Sequence, residues 1–270
     1  MSDLPAPFDP GGEITIAARG LVKRFGEFTA VEGVDLDVRR GEFFGFLGPN
    51  GHGKTTTIRM LTGLARPTAG WIRVTGRDPV LEPLEVKSRI GYLPEEVNTY
   101  ERLTGRELLA FSGAMHGLRG REIAARTEQL LSLVALPAED ADRMIVDYSR
   151  GMKKKIGLAS ALIHGPEVLF LDEPLSGVDT LSSRAIREAL VELTRRGVTI
   201  FFTSHVLETV ERVCPRIGLI RKGRVVGVGT VPELAAAAGL PAGATLEEIF
   251  VKVMDPERRE AGASLEWFHR

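Results

Sequence analysis

Along residues 14–47, apolar positions alternate with polar ones in short runs. "ITIAARGLVKRF" (14–25), "AVEGVDLDV" (30–38) and "EFFGFL" (42–47) read as strands, with Arg40-Gly41 as the turn before the last. "WIRVTG" (71–76) is another. From about Thr99 to Ile163 this signal disappears and a helical period replaces it. Thr104-Gly105-Arg106-Glu107 has the form of a capping box ahead of Leu108, Phe111 and Met115. Ile123, Thr127, Leu130 and Val134 mark a second amphipathic helix, and Met152, Ile156, Ala159 and Ile163 a third. Strands return at "VLFLD" (168–172), "VTIFFTS" (198–204) and "RIGLIRKGRVVGVG" (216–229). A helix from about Leu181 to Arg196 separates the first two.

This order predicts an α/β fold in which a helical block interrupts a sheet-based core. The core takes 14–95 and 164–230, and the block about 96–163. Residues 1–13 read as a flexible N-terminus. Residues 231–270 read as a helical extension ending in a charged tail from Asp255. Within the extension, Leu246, Ile249, Phe250 and Val253 form one stripe, read as core packing.

Composition narrows the classes. A chain of 270 residues, 43% hydrophobic and 26% charged, can bury a core in one or two domains. A net charge of −1 lacks the concentrated basic surface of a nucleic-acid binder, and none is expected as partner. The single cysteine, Cys214, excludes an internal disulfide and suits a reducing compartment; beside Pro215 it reads as a small core residue. "MSDLPAPFDPGG" has neither the basic nor the apolar region of a signal peptide. No run approaches the roughly 18 apolar residues that a membrane-spanning helix needs.

The candidate chemistry starts at "FLGPNGHGKTTTI" (46–58), where Gly48-x-x-x-x-Gly53-Lys54-Thr55 fits a phosphate-binding loop between a strand and a helix. Its glycines let successive backbone N–H groups turn inward as an anion nest, and the helix start adds the positive end of its dipole. The loop residues Gly48, Pro49, Asn50, Gly51, His52, Gly53, Lys54, Thr55 and Thr56 are the expected phosphate contacts. Lys54 would reach the β- and γ-phosphates and the Thr55 hydroxyl would ligate Mg²⁺. The His52 side chain reads as an outward-facing bystander.

Two strand ends complete the pattern. "VLFLDEP" stops on Asp172, placed to hold Mg²⁺, and Glu173, placed to polarise a water for in-line attack. About 33 residues on, "FFTSH" puts His205 at the end of another apolar strand.

With "GYLPEE", "YSRGMKKK" and "SGVD", these stretches resemble the nucleotide-binding subunit of an ATP-binding cassette (ABC) transporter, from about Ile14 to Gly229. "YSRGM" is similar to the family's signature motif at Ser149 and Gly151, and departs from it at Arg150 and Met152. Read from its residues alone, Ser149 is a helix cap and Lys153-Lys154-Lys155 a solvated face. The resemblance implies an α/β P-loop NTPase core, a mixed sheet with an antiparallel β subdomain, plus an inserted α-helical subdomain. It implies that Phe25 stacks on adenine, with a core aromatic as the alternative reading of that residue. It places Glu95 where the family carries the glutamine of the loop joining the subdomains, a position at Mg²⁺ and the attacking water. Glu96 is the alternative partner there. Glu173 resembles the catalytic carboxylate, Asp179 the aspartate that touches a partner subunit, and His205 the switch histidine sensing γ-phosphate. Ser149 and Gly151 would meet the nucleotide of the other subunit. "TLEEIF" resembles the closing segment of ATPase subunits from bacterial drug or multicomponent exporters.

The expected protein is an ATPase using ATP and Mg²⁺. It would dimerise with a second copy or a paralogue and drive a separately encoded membrane permease, in the export direction. It would sit in the cytoplasm, peripheral on the inner face of the cell membrane. Two other classes stay open. A cassette ATPase acting on nucleic acid or ribosomes usually carries two cassettes or a long coiled coil, and this chain has one set of motifs and no sustained heptads. A P-loop GTPase or kinase is disfavoured because no NKxD motif occurs.

Overall fold

A computed structural model describes residues 12–255 of the chain. The expectations for residues 1–11 and for the tail beyond 255 lie outside the described residues. Three strands, β1 (Ile14–Phe25), β2 (Phe28–Arg39) and β4 (Ala69–Val74), form an antiparallel sheet in the order β2-β1-β4. The second sheet has the order β5-β6-β7-β3-β8-β9. Its members are β3 (Phe43–Leu47), β5 (Ile90–Leu93), β6 (Val168–Asp172), β7 (Thr199–Ser204), β8 (Arg216–Arg221) and β9 (Arg224–Gly229). All neighbours are parallel except β8 and β9. Mixed α/β architecture is therefore as expected.

Strands β3, β6 and β7 are buried on both faces, which explains why they read as continuous apolar runs. Alternation sorts the aromatic rings. Phe44, Phe46, Phe170 and Phe201 point towards the antiparallel sheet, joining Ile16, Val34 and Ile58 in one core. The Phe201 ring lies 5.3–5.8 Å from the other three rings. Phe43 and Phe202 point the opposite way and meet edge-on at 5.8 Å in a second core.

That second core is built against helices. These include α3 (Gly105–Met115), α4 (Gly120–Leu133), α6 (Arg150–Leu162) and α7 (Thr180–Arg195). The shorter α1 (Lys54–Leu61), α2 (Pro83–Lys87) and α5 (Ala138–Ala141) lie earlier in the chain or between them. After α7 come α8 (Leu207–Val213), α9 (Val231–Ala237) and α10 (Leu246–Met254). Cys214 is buried at the end of α8, as its apolar reading requires. In α10, Leu246 and Ile249 are buried, with Phe250 and Val253 packed behind them.

Two details differ from the sequence pattern. The capping box of α3 forms in both directions, with Glu107 N–H donating to the Thr104 hydroxyl and Thr104 N–H to the Glu107 carboxylate. Yet the buried face carries Leu108, Leu109 and Gly113, whereas Phe111 and Met115 are exposed. Phe111 instead packs edge-on against Tyr100 at 5.2 Å. The other departure is β5. "IGYL" is too short, and too interrupted by glycine, to announce itself as a strand.

Candidate active site

The parallel order places the ends of β3, β6 and β7 side by side. Asp172 is level with Thr203, and Leu47 with Ser204. Whatever follows these strands must therefore converge at one edge of the sheet, the location where open α/β sheets bind ligands.

From β3 the chain runs through Gly48 to α1. Gly53, at the N-cap, has φ +101°, and a Cβ there would lie 2.6 Å from the Ala30 carbonyl. Only glycine fits that turn. No side chain caps α1, so its first N–H groups are left for a ligand. Lys54 folds back over the loop and its Nζ donates to the Gly48 carbonyl at 2.7 Å. Pro49 O and Asn50 Oδ1 lie at 3.4 Å. Thr55 is exposed and Thr56 half-buried at the start of α1, while Gly51 and Asn50 are exposed at the loop's tip.

His52 corrects its outward-facing reading. Its ring Nδ1 accepts the Lys222 N–H at 3.4 Å and its carbonyl accepts the Gly223 N–H at 3.2 Å. The loop is thus braced on the β8–β9 hairpin turn. Partial burial lowers the His52 pKa, and Lys54, Lys222 and Arg221 push it the same way. The ring is neutral, as an acceptor must be.

At the end of β6, the Asp172 Oδ1 takes a 2.7 Å hydrogen bond from the Thr203 hydroxyl, leaving Oδ2 buried without a partner. Glu173 follows in a left-handed backbone conformation, φ +47°, unusual outside glycine. Its N–H donates to Thr203 Oγ1 at 3.0 Å. The Glu173 side chain is 6% exposed, and Oε1 lies 3.2 Å from Lys54 Nζ in an ionic contact without hydrogen-bond alignment. Oε2 receives His205 from the end of β7, through ring Nδ1 at 2.8 Å and backbone N–H at 3.3 Å. Since a carboxylate accepts, Nδ1 carries the proton.

Lys54, Asp172, Glu173 and His205 therefore belong to one connected cluster. Phe25, Ser149, Gly151 and Asp179 share no hydrogen bond or ion pair with it among the described residues. Phe25 stands exposed at the end of β1, with the Lys23 ammonium 5.0 Å from its ring centre. Ser149 caps α6, accepting the Met152 N–H, and Asp179 caps α7, accepting the Ser182 N–H at 2.9 Å. That bond holds the Asp179 pKa below the ordinary carboxylate value. The two caps are neighbours: a Cβ on Gly151 would fall 2.7 Å from Asp179 Oδ2. Glu95 has an exposed side chain beside a cleft of about 370 Å³ that Arg150, Lys153, Lys154 and Ser176 also line.

Two residues of this region escaped the sequence reading. Thr203, in the middle of "FFTSH", bonds to the main chain of Glu173 and the side chain of Asp172; a threonine in a strand carries no distinguishing signal. Lys154 belongs to the presumed solvated face and contradicts it, being 5% exposed. Its ammonium donates to Glu95 O at 2.5 Å, Glu173 O at 3.2 Å and Pro94 O at 3.3 Å.

The profile of a family described as ABC transporter matches residues 31–176, more than half the chain and the span that holds the loop, α6 and the end of β6. The chain belongs to the ABC transporter family. It is 39% identical over 224 residues to the linearmycin resistance ATP-binding protein LnrL of Bacillus subtilis (strain 168), covering 83% of this chain and 72% of that one. It is 40% identical over 227 residues to the daunorubicin resistance ATP-binding protein DrrA3 of Streptomyces coeruleorubidus, with 84% and 72% covered. A solved structure titled as the ATP-binding subunit of an ABC transporter superposes with a TM-score of 0.82 at 31% identity, covering 88% of this chain and 99% of that one. As an ABC transporter ATP-binding subunit, the chain binds nucleotide and hydrolyses ATP on a P-loop NTPase fold. Among the described residues, no helix is long and apolar enough to cross a membrane.

Proposed function

We propose that the chain powers a separately encoded membrane permease by closing as a dimer around two ATP molecules and reopening on hydrolysis. Export of a drug-like compound is the direction and cargo class that the names of the two resistance relatives favour. The subunit would work on the cytoplasmic face of the membrane, held there by the permease. The core of 14–95 and 164–230 would carry the chemistry, the block of 96–163 the signature, and 231–270 an extension.

One observation carries the reading: the P-loop lysine, two strand-end acids and a histidine from three parallel strands meet in one cluster around Glu173. Lys54 and the N–H groups of residues 50–56 hold the phosphates. Glu173 orients and polarises the attacking water, and His205, anchored to Glu173 through Nδ1, would donate from Nε2 in its imidazolium form where γ-phosphate charge develops. Phe25 offers a face to the base. Ser149, Gly151 and Asp179 belong to the surface that meets the other subunit's nucleotide.

The residues present also fit Mg²⁺. Asp172 Oδ2 is a buried carboxylate oxygen with no partner among the described residues, and the Thr55 hydroxyl is exposed at the start of α1. Mg²⁺ keeps several waters and needs few protein oxygens, so Asp172 and Thr55, with Glu95 from the neighbouring loop, suffice. Bound there, the ion would neutralise phosphate charge.

Glu173→Gln tests the whole scheme. The variant should bind ATP with Mg²⁺, hydrolyse it very slowly and run as a dimer by size exclusion with light scattering. A variant that stays monomeric at saturating ATP contradicts the two-site sandwich.

A further inference from the structure

Lys154 stands one turn into α6, yet its side chain does not reach solvent. It is 5% exposed, and each of its three protons has a backbone carbonyl: Pro94 and Glu95 in the loop after β5, and Glu173 after β6. An ammonium taken out of water needs its donors satisfied, and here all three are. Burial lowers the Lys154 pKa, and the charges of Glu95, Asp172 and Glu173 oppose that shift.

The Glu173 carbonyl matters because of the backbone it belongs to. A left-handed conformation at a residue with a side chain persists only where its surroundings over-determine it. Glu173 is held on both sides. Thr203 takes its N–H, while Lys154 and the Ser176 N–H share its carbonyl. Those bonds fix the direction in which the Glu173 side chain leaves the main chain, and hence where its carboxylate sits relative to Lys54 and His205.

We infer that Lys154 is a positioning residue for hydrolysis, holding the Glu173 backbone and the Glu95 loop in one register with α6. The inference rests on Glu173 being the carboxylate that polarises water. It assigns Lys154 no contact with nucleotide.

The test uses the full chain. Lys154→Met keeps the stem and removes the donors. ATP affinity, read with a fluorescent nucleotide, should stay within about twofold, since nothing at the phosphate loop changes. Saturated turnover should fall about ten- to a hundredfold, the range that small misplacements of a reacting group produce. Lys154→Arg keeps charge and donors and should recover part of that turnover. In a Glu173→Gln background, Lys154→Met should add nothing, because the group being positioned is already gone. If Lys154→Met fails to fold, Lys154→Gln takes its place with the same readouts.

Wild-type turnover in the Lys154 variant overturns the inference. A parallel fall in affinity and turnover, or a further loss in the Glu173→Gln background, also does so by pointing to general structural damage. Failure of the underlying reading is visible separately, as normal turnover in Glu173→Gln alone.

Discussion

Lys54 and Glu173 face each other at 3.2 Å, and their side chains are 5% and 6% exposed. The loop lysine is thus held by its own loop and by the carboxylate that would drive hydrolysis. A phosphate entering the nest competes for the same ammonium. Removing one charge of a buried pair strands the other, so Lys54→Ala should both weaken ATP binding and leave Glu173 Oε1 without its cation, with His205 still bonded to Oε2. Loss of a charge-assisted hydrogen bond, roughly 1.5–3 kcal/mol, corresponds to about ten- to a hundredfold in affinity. Glu173→Gln does the reverse: it frees Lys54, and ATP should bind several-fold tighter than to wild type. Isothermal titration of both variants checks the pair, and unchanged affinity in Lys54→Ala contradicts the phosphate-loop reading.

Thr203 offers a second check. Its hydroxyl accepts from Glu173 N–H and donates to Asp172 Oδ1, so Thr203→Val leaves two buried polar groups without partners at nearly constant shape. Each unsatisfied group costs about 1–3 kcal/mol. With two such groups, the variant should lose about 2–6 kcal/mol of stability in urea melts and lose turnover as well. A stable variant with normal turnover would show that Thr203 does not set this geometry.

His205→Ala separates sensing from structure. The imidazole is about half exposed and, among the described side chains, bonds to Glu173 alone, so its loss should leave affinity nearly intact and lower turnover. Equal losses in binding and turnover, measured by titration and steady-state assay, would make it a structural histidine.

Much of this arrangement was legible in the residues. The glycines and lysine of 48–54 carry their own geometry, and apolar runs ending in Asp172 and in Ser204-His205 announce buried parallel strands. What stayed hidden depended on contacts between distant elements. Lys154 looks like one of three solvent-facing lysines, and only the return of two loops over α6 reveals the three carbonyls around it. Phe111 and Met115 satisfy helical spacing, yet α3 buries the adjacent face through Leu109 and Gly113. Four residues with a central glycine do not announce β5, although its pairing with β6 carries the Glu95 loop to the site.

Glu95 stands near the start of that loop with its side chain exposed and its carbonyl committed to Lys154. A carboxylate there attracts Mg²⁺ and repels γ-phosphate, and the compact cation should win. Glu95→Gln should therefore be tolerated with a modestly weaker Mg²⁺ dependence, and Glu95→Ala should keep ATP binding while slowing turnover. ATPase rate against Mg²⁺ concentration reads both. If Glu96→Ala alone shifts that curve, Glu96 is the partner.

The last prediction concerns acid stability, away from the site. His164, following α6, uses its ring Nε2 to bond the Ile90 carbonyl at 3.0 Å and stacks on His116 at 3.8 Å. A carbonyl only accepts, so Nε2 carries the proton and Nδ1 is bare, buried and unpartnered. Protonating Nδ1 would add an N–H with no acceptor and a charge facing His116 and Arg126. Burial, reinforced by those two groups against the Ile90 bond, pushes the His164 pKa from 6.5 down to about 4. The folded state therefore holds fewer protons than the unfolded chain across that window, and stability falls as pH drops from about 6.5 to about 4. His164→Asn keeps a donor for Ile90 and cannot titrate. Its urea stability should be lower than wild type at pH 7, through lost stacking, but should decline less on acidification. Parallel pH curves for the two proteins would mean that the neutral His164 does not contribute to the acid sensitivity.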